Sequence, residues 1–320
     1  MDAVLLLPYP DDLPKTPAEL EGAQRALLDA VPELALPGPH TRVRTAVGEG
    51  IEPGGVAAPA TSGGPEEEFT EHDTFFGVTR GRGGPDLFLR SLLLAEDDAW
   101  QDLRTHGTSL SQDEQTRLLT ADRLFLGGSA TAGGPPPSSS AMTPAACVDR
   151  WRTGHRLFFT LLQSITVSVS CAACTTGAAQ QAHLARAARL SSATAAAMRF
   201  AADFDTGLYA LSVRPAMTPP QVRPGFSGAQ TRDHDRLVRL LHTLPQHVDR
   251  AARRSAAYTE LLDALAGVYR AHVHVCSRFG GDTAPSLRMD VEEPDSSETG
   301  VQRAEHFARL RVGPLREDVE

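Results

Sequence analysis

Two long runs of good helix-forming residues constrain the fold of this chain more than any other feature. They read "ACVDRWRTGHRLFFTLLQSITVSVSC" (146–171) and "QQAHLARAARLSSATAAAMRFAADF" (180–204). The Ile/Thr/Val end of the first run could form a strand, but the Ala-rich sequence that follows favours helix. Strands do not alternate with helices in the pattern of a parallel sheet. We therefore expect a mainly α fold, a helical bundle with long irregular loops.

Further helical patterns lie on both sides of these runs. Apolar residues recur at three-to-four spacing in 85–103, and the stretch 111–126 opens with a capping-type serine. The sequence predicts a short helix over 231–245, with Thr231 or Asp233 near its cap, and one long helix over 245–279. A short amphipathic helix is expected around "QRAEHFARLRV" (302–312).

Low-complexity and proline-rich stretches interrupt the helical patterns. Residues 36–65 and 127–144 are predicted to be flexible loops or linkers because they are rich in Pro, Gly, Ala, Thr and Ser. The stretch "SVRPAMTPPQVRPGFSG" (212–228) is predicted to be irregular because its prolines oppose regular structure. The whole chain, 1–320, is interpreted as a single domain.

Charge and hydropathy exclude several partners. The net charge of −9 opposes binding to nucleic acid or to an acidic membrane surface. No apolar run reads as a membrane span, and the N-terminal segment lacks the basic region of a signal peptide. A cytoplasmic protein is the default expectation; the number of subunits does not follow from the sequence.

Lysine is nearly absent, since Lys15 is the sole lysine of the chain. This excludes ordinary pyridoxal-phosphate chemistry, which needs a buried Schiff-base lysine. It also removes the lysine of a phosphate-binding loop, and no G-x-x-x-x-G-K motif is present. A kinase or ATPase is therefore a poor interpretation.

The cysteines do not form a recognisable framework. There are four of them, too few for a disulfide scaffold of this length, and "CAAC" at Cys171–Cys174 has neither a second ligand pair for zinc nor a following histidine for ordinary c-type haem attachment. Small buried thiols on an Ala-rich helix are the simpler interpretation.

Most of the eleven histidines have ordinary explanations. Four are predicted to be exposed because their surroundings are polar: His40, His72, His106 and His306. His155 enters an apolar helix, where a satisfied core histidine is favoured over a pocket residue. His234 differs because it follows the proline-pinned loop 212–228, the kind of segment that often presents functional groups.

The stretch "GVYRAHVHVCSRFGG" (267–281) concentrates possible ligands. On a helix, His272 and Cys276 lie on one face and His274 on nearly the opposite one. This arrangement is poor for a three-ligand metal site. It suits one axial imidazole beside one covalent tether, or it is simply helix surface.

Together these residues read H-x(37)-H-x-x-x-C, from His234 through His272 to Cys276. This pattern and the loop before it resemble the haem-dependent tyrosine hydroxylases, most closely those that act on 3-methyl-L-tyrosine in the biosynthesis of saframycin-type antibiotics. The resemblance covers about residues 200–281, which would be the haem-binding portion, with haem held between helices.

The resemblance implies a function and a set of site residues. His272 would bind iron, Cys276 would form a single thioether with a haem vinyl group, and His234 would supply the other axial position and act as distal acid–base. The reaction would insert one oxygen ortho to the phenol of L-tyrosine or 3-methyl-L-tyrosine, using peroxide, or dioxygen with a reductant. Arg214 and Arg232 are candidates for binding the substrate carboxylate.

Phe226 is expected to pack on the substrate ring or on the porphyrin. Two other functions stay open on the residues alone. One is a non-catalytic haem protein, a sensor or electron carrier, because two axial histidines are typical of electron transfer. The other is a helical interaction protein in which 272–276 is helix surface.

Overall fold

The computed structural model describes residues 4–35, 65–127, 141–227, 231–281 and 298–317. It is mainly α-helical, as the sequence predicts. The elements, in chain order, are β1 (Leu5–Pro8), α1 (Pro17–Ala30), α2 (Pro65–Phe75), β2 (Val78–Gly81), α3 (Leu87–His106), α4 (Gln112–Leu118), α5 (Ala121–Leu126), α6 (Pro144–Ala173), α7 (Gly177–Ala201), α8 (Thr206–Leu208), a π-helical turn (Tyr209–Val213), α9 (Arg214–Ala216), α10 (Arg232–His247), α11 (Arg250–Arg253), α12 (Ala256–Gly280) and α13 (Gly300–Glu317), with single 3-10 turns at Pro10–Asp12 and Pro32–Ala35.

Helix α6 is the central element, and it stays helical through its Ile/Thr/Val end. The Thr143 side chain caps it, and Pro144 occupies its first turn, where the missing N–H costs nothing. Its buried hydroxyls donate back to carbonyls one turn earlier, as Ser164 does to Thr160 and Ser168 to Ser164. These bonds satisfy the hydroxyl groups that the helix buries.

The same helix is long and apolar enough to cross a membrane by length and composition, with a mean hydropathy of 1.3 over its most apolar window. However, 89% of that window is buried inside the protein, and no other helix in the described ranges passes this test. The expectation that no run reaches the length of a span was therefore wrong for α6. Its burial identifies it as a core helix.

Helices α6 and α7 pack against each other at very short range. A Cβ atom added to Gly154 would lie 2.4 Å from the Cβ and 2.6 Å from the Cα of Ala201. The absence of a side chain at Gly154 therefore sets the distance between the helices, directly before His155.

Five helices enclose one region of the bundle. Helix α10 lies against α6, α12 lies along α7, and α13 contacts both α12 and α10. The buried residues of the described ranges form one continuous hydrophobic core, from Leu5 near the N-terminus to Leu315 in α13. The N- and C-terminal ends of the described chain therefore both contribute to the bundle.

Two short strands were not expected from the sequence. Strand β1 pairs in parallel with β2, with Leu5 opposite Val78, and helical segments lie between them in the chain. Each strand has only four residues, and β1 is a continuous apolar run without alternation. Such a run cannot be distinguished from the start of a buried helix by its periodicity.

The single long helix predicted over 245–279 was wrong. Pro245 lies in the last turn of α10, and the chain then restarts twice, at α11 and at α12. The side chains of Asp249 and Ser255 accept hydrogen bonds from the backbone at the start of these two helices. They are local N-cap signals in a pattern that otherwise looks continuous.

The proline-rich stretches also depart from the expectation where they are described. Residues Ser212–Ala216 of the segment predicted to be irregular are helical, in the π-helical turn and α9. Of the two predicted loops, 36–64 and 128–140 lie outside the described residues. At their edges Gly127 follows α5, and Pro65 and Pro144 each begin a helix.

Candidate active site

His272 and Cys276 lie on the half-buried face of α12, and His274 is exposed, as the helical spacing predicts. The helix is capped by Ser255, whose side chain accepts a hydrogen bond from the backbone of Tyr258. Burial raises the pKa of the Cys276 thiol to about 11. Cys276 is therefore a neutral thiol at neutral pH rather than a thiolate ligand.

His234 lies in the first turn of α10, where a buried ionic cluster fixes the helix. Thr231 caps this end. The neighbouring Asp233 accepts hydrogen bonds from Arg80 at 2.6 Å and from Gln163 at 2.8 Å, and Arg80 also binds Asp73 at 2.8 Å. We call Asp73, Arg80, Gln163 and Asp233 the Arg80 cluster.

His155 reaches the same region from α6. Its Nδ1 lies 2.7 Å from the carbonyl oxygen of Trp151. Because a carbonyl only accepts, Nδ1 donates and Nε2 keeps its lone pair. The ring stacks on Phe76 at 4.4 Å between centroids. Burial, with a smaller contribution from nearby His272, lowers the pKa of His155 to about 4 against the opposing effect of the Trp151 hydrogen bond.

The three histidines and Arg311 form one group, which we call the imidazole pocket. Burial lowers the pKa of His234 to about 3, with added contributions from Arg311 and His272. Burial and then Arg311 lower the pKa of His272 as well. These imidazoles are therefore neutral at neutral pH, which is the form that binds a metal.

Arg311 approaches this pocket from α13. Its Nη1 lies 3.3 Å from Nε2 of His234. It also hydrogen-bonds to the side chain of Tyr269, which lies one turn before His272 on α12. Its guanidinium lies 4.6 Å from the centre of the Phe307 ring. All these partners are uncharged side chains.

An aromatic wall adjoins Cys276. Tyr209, in the π-helical turn, stacks on Phe279 with centroids 4.0 Å apart and planes within 10°. Trp151 meets the Tyr209 ring edge-on at 5.9 Å. Burial raises the pKa of the Tyr209 phenol, which lies near Arg214 and Cys276. Single π-turns inside helices are frequent at functional sites.

The match to known proteins decides which family the chain belongs to. The family model described as SfmD 3-methyl-L-tyrosine peroxygenase matches residues 6–271, most of the chain. The chain belongs to the SfmD 3-methyl-L-tyrosine peroxygenase family. It is therefore an oxidoreductase of the peroxygenase type. The matched range contains His155 and His234 and ends immediately before His272.

Two individual proteins extend the comparison beyond the matched range. A 3-methyl-L-tyrosine peroxygenase of Streptomyces lavendulae is 27% identical over 96% of this chain and 89% of its own length. The crystal structure of reduced SfmD, obtained by soaking with sodium hydrosulfite, has a TM-score of 0.69 at 22% identity, covering 86% of this chain and 98% of that one. This second likeness bears on the fold.

Within this family fold, the predicted substrate residues lie apart from each other. Arg214 lies at the end of the π-helical turn, near Tyr209. The Arg232 guanidinium binds Glu66 at 2.8 Å and lies 3.3 Å from Asp73. The fully buried Phe226 contacts Phe75 at 4.9 Å and belongs to the core. Arg214 is thus the predicted residue nearest to the aromatic wall.

Sequence reasoning missed or misplaced several residues. His72 was predicted to be exposed but is 1% exposed and packs against Phe76 and Phe159. Tyr209 and Arg311 were not identified as site residues. Tyr209 carries no local signal apart from its aromatic ring, and Arg311 belongs to an amphipathic helix that looks like solvent-facing surface until α13 is placed against α10.

The predicted haem-binding portion, 200–281, contains His234, His272 and Cys276. The pocket also includes His155 before this range and Arg311 after it. No group of three or more His, Cys, Asp or Glu side chains suited to a metal ion occurs in the part of the chain that the structure describes. Two neighbouring neutral imidazoles from different helices suit a metal whose other ligands come from elsewhere.

Proposed function

We propose that this protein is a haem-dependent peroxygenase that hydroxylates 3-methyl-L-tyrosine or L-tyrosine ortho to the phenol. His272 and His234 would hold the iron, and Cys276 would form one thioether with a haem vinyl group. The observation that carries the proposal is the pair of neutral, half-buried imidazoles from two helices, with a thiol one turn beyond one of them. The relative from Streptomyces lavendulae is named for this substrate.

The donor set fits a haem. Neutral histidine nitrogens are common ligands of haem iron, and α10 and α12 would each supply one. Addition of a thiol to a vinyl group needs a sulfur that is free of other bonds, and Cys276 is a free, half-buried cysteine. When bound, the haem would supply the redox chemistry that activates peroxide.

The chain's own residues would hold the substrate and handle protons. The net reaction consumes one peroxide and one aromatic C–H bond and yields one phenolic hydroxyl and water. His234, when not bound to iron, would be the acid–base beside the oxidant, accepting a proton at Nε2 in place of its hydrogen bond from Arg311. Tyr209 and Phe279 would provide an apolar face for the substrate ring, and Arg214 a cation for its carboxylate.

Dioxygen with a two-electron reductant could replace peroxide, since dioxygen plus two electrons and two protons is at the oxidation level of hydrogen peroxide. A place in antibiotic biosynthesis, a single haem-binding domain and a cytoplasmic location follow from the resemblance and the composition. The non-catalytic haem protein is disfavoured because the family model and the curated relative are both named as peroxygenases.

The tether is tested by expression in haem-replete cells. The purified protein should show a Soret band, and the colour should stay with the chain after acid–acetone extraction. Cys276→Ser should release haem to acid–acetone while binding it under native conditions. Cys174→Ser, which changes an exposed cysteine, is the matched control and should retain the haem. Haem that still resists extraction from Cys276→Ser would refute the tether.

The activity is tested with 3-methyl-L-tyrosine, L-tyrosine and hydrogen peroxide. Mass spectrometry should detect a catechol product heavier than the substrate by one oxygen atom. His272→Ala should abolish product formation because the iron would lose the histidine ligand from α12, the helix that also carries Cys276. A red protein that gives no product with any of these substrates and oxidants would favour the electron carrier, and a colourless protein would exclude both haem functions.

A further inference from the structure

Arg311 contacts the atom of His234 on which the proposed function depends. Nε2 of His234 lies 3.3 Å from Nη1 of Arg311. The same guanidinium hydrogen-bonds to Tyr269, on the helix that carries His272. Arg311 therefore connects α13 to both helices that would supply axial ligands.

The hydrogen bond between Arg311 and His234 can have only one direction. A guanidinium only donates hydrogen bonds, so Nε2 of His234 must accept and the ring proton must lie on Nδ1. An imidazole nitrogen has one lone pair in the ring plane. The Nε2 lone pair can therefore accept a hydrogen bond from Arg311 or bind a metal, but it cannot do both at once.

We infer that Arg311 is a positioning residue that competes with iron for His234 and so holds the sixth coordination position open. This inference rests on the proposed function, because it assigns a role within the haem site. In the state with His234 released, Arg311 keeps the imidazole in place beside the oxidant. In the state with His234 bound, that hydrogen bond is lost.

The surroundings of Arg311 indicate that its contact with His234 has a function and is not incidental. Arg311 is half-buried, and its aromatic contact with Phe307 limits where the guanidinium can move. The Tyr269 hydroxyl accepts a second hydrogen bond from it. The buried guanidiniums of Arg80 and Arg150 bind carboxylates instead, and that of Arg156 donates to the hydroxyl of Thr153. Arg311 is the one whose described partner is a proposed iron ligand.

The size of the effect follows from the strength of one hydrogen bond. A hydrogen bond with a charged donor contributes roughly 1.5 to 3 kcal/mol. Part of it is recovered by water in the bound state, so we expect Arg311→Gln to lower the ratio of released to bound His234 about tenfold, equivalent to about 1.4 kcal/mol.

The experiment uses haem-loaded protein and spectroscopy rather than turnover. Electronic absorption and electron paramagnetic resonance give the fraction of low-spin iron with two histidine ligands. Cyanide titration gives the availability of the open position, since the apparent affinity scales with the fraction that is open. Arg311→Gln should raise the low-spin fraction and weaken cyanide binding by up to about tenfold. Arg311→Lys should show a smaller change because it keeps a cationic donor.

Two controls distinguish a specific effect of Arg311 on His234 from a general disturbance of the structure by the substitution. Arg309→Gln changes an exposed arginine of the same helix and should match the wild type in both measurements. In a His234→Ala background, Arg311→Gln should cause no further change in spin state, because the competing ligand is already absent.

The outcomes are distinct from those that test the proposed function. If wild-type protein binds no haem, the proposed function fails and takes the inference with it. If wild-type protein binds haem through two histidines and Arg311→Gln leaves the spin state and cyanide affinity unchanged, the inference alone is overturned. A change of equal size in Arg309→Gln would also overturn it.

Discussion

Asp233 and His234 are consecutive residues of α10, but they belong to two polar regions of opposite character. Asp233 lies in the Arg80 cluster, where each carboxylate is paired with a guanidinium at 2.6 to 2.8 Å. His234 lies in the imidazole pocket, where the guanidinium of Arg311 has neutral partners and the histidines have lowered pKa values.

The difference separates structure from ligand binding. In the Arg80 cluster, burial alone would lower the pKa of Arg80, but Asp233 and Asp73 raise it above its ordinary value. The opposite charges stabilise one another, so this cluster stabilises the fold rather than binding a ligand. In the imidazole pocket, the guanidinium of Arg311 contacts the uncharged side chains of His234, Tyr269 and Phe307. Such an arrangement costs stability and is typical of a site that awaits a ligand.

The largest expected effect on stability comes from the Arg80 cluster. Arg80→Met should lower the free energy of unfolding by about 3 to 5 kcal/mol, because it leaves the buried Asp233 without its guanidinium and Asp73 with Arg232 alone. Urea denaturation followed by circular dichroism measures this. Adding Asp73→Asn and Asp233→Asn should recover part of the loss, whereas a loss below about 1 kcal/mol in Arg80→Met would contradict the cluster's role.

The next effect comes from the helix contact beneath the pocket. Gly154→Ala should lower the free energy of unfolding by about 1 to 3 kcal/mol, because the new methyl group would overlap the backbone of Ala201. Gly313→Ala is the matched control, since a Cβ at this helical glycine would meet nothing within 4 Å. Equal free energies of unfolding for Gly154→Ala and Gly313→Ala would contradict the close helix contact at Gly154.

The pH dependence of stability tests the imidazole pocket directly. In the unfolded chain, His155 becomes protonated as the pH falls through 6.5, its ordinary pKa. In the folded chain it becomes protonated only as the pH falls through about 4, its lowered pKa. Stability is therefore unaffected by this group above pH 6.5 and is lost as pH falls below it. His155→Gln should remove about 1 to 2 kcal/mol of the stability loss between about pH 7 and pH 5.

This pH prediction has a matched control on the protein surface. His242→Gln changes an exposed histidine of α10 and should leave the pH dependence of unfolding as in the wild type. Identical pH dependence in His155→Gln and the wild type would mean that the burial of His155 does not exclude its protonated form.

Much of the fold and the candidate ligands could be predicted from local patterns. Helix periodicity, the Ala-rich run of α7 and the caps Ser111 and Thr231 all describe events within one element. The shared face of His272 and Cys276 follows from helix geometry alone. Each of these signals depends on residues at most four positions apart.

The rest depended on contacts between distant segments. Strands β1 and β2 pair across more than seventy positions, and Arg80 meets Asp233 across 153. His72 lies in a polar stretch but is buried because α2 packs against α6. Arg311 became a site residue only through the contact of α13 with α10. Local sequence patterns do not contain such information.

The smallest expected effect completes the contrast between the two regions. Arg311→Gln should change the free energy of unfolding by less than about 1 kcal/mol, in either direction, because its half-buried guanidinium has neutral partners in the described structure and its removal leaves no carboxylate unpaired. Arg309→Gln, on the exposed side of the same helix, gives the baseline. A loss approaching that of Arg80→Met would mean that Arg311 holds the bundle together, and the distinction between a paired structural cation and one kept for the site would no longer stand.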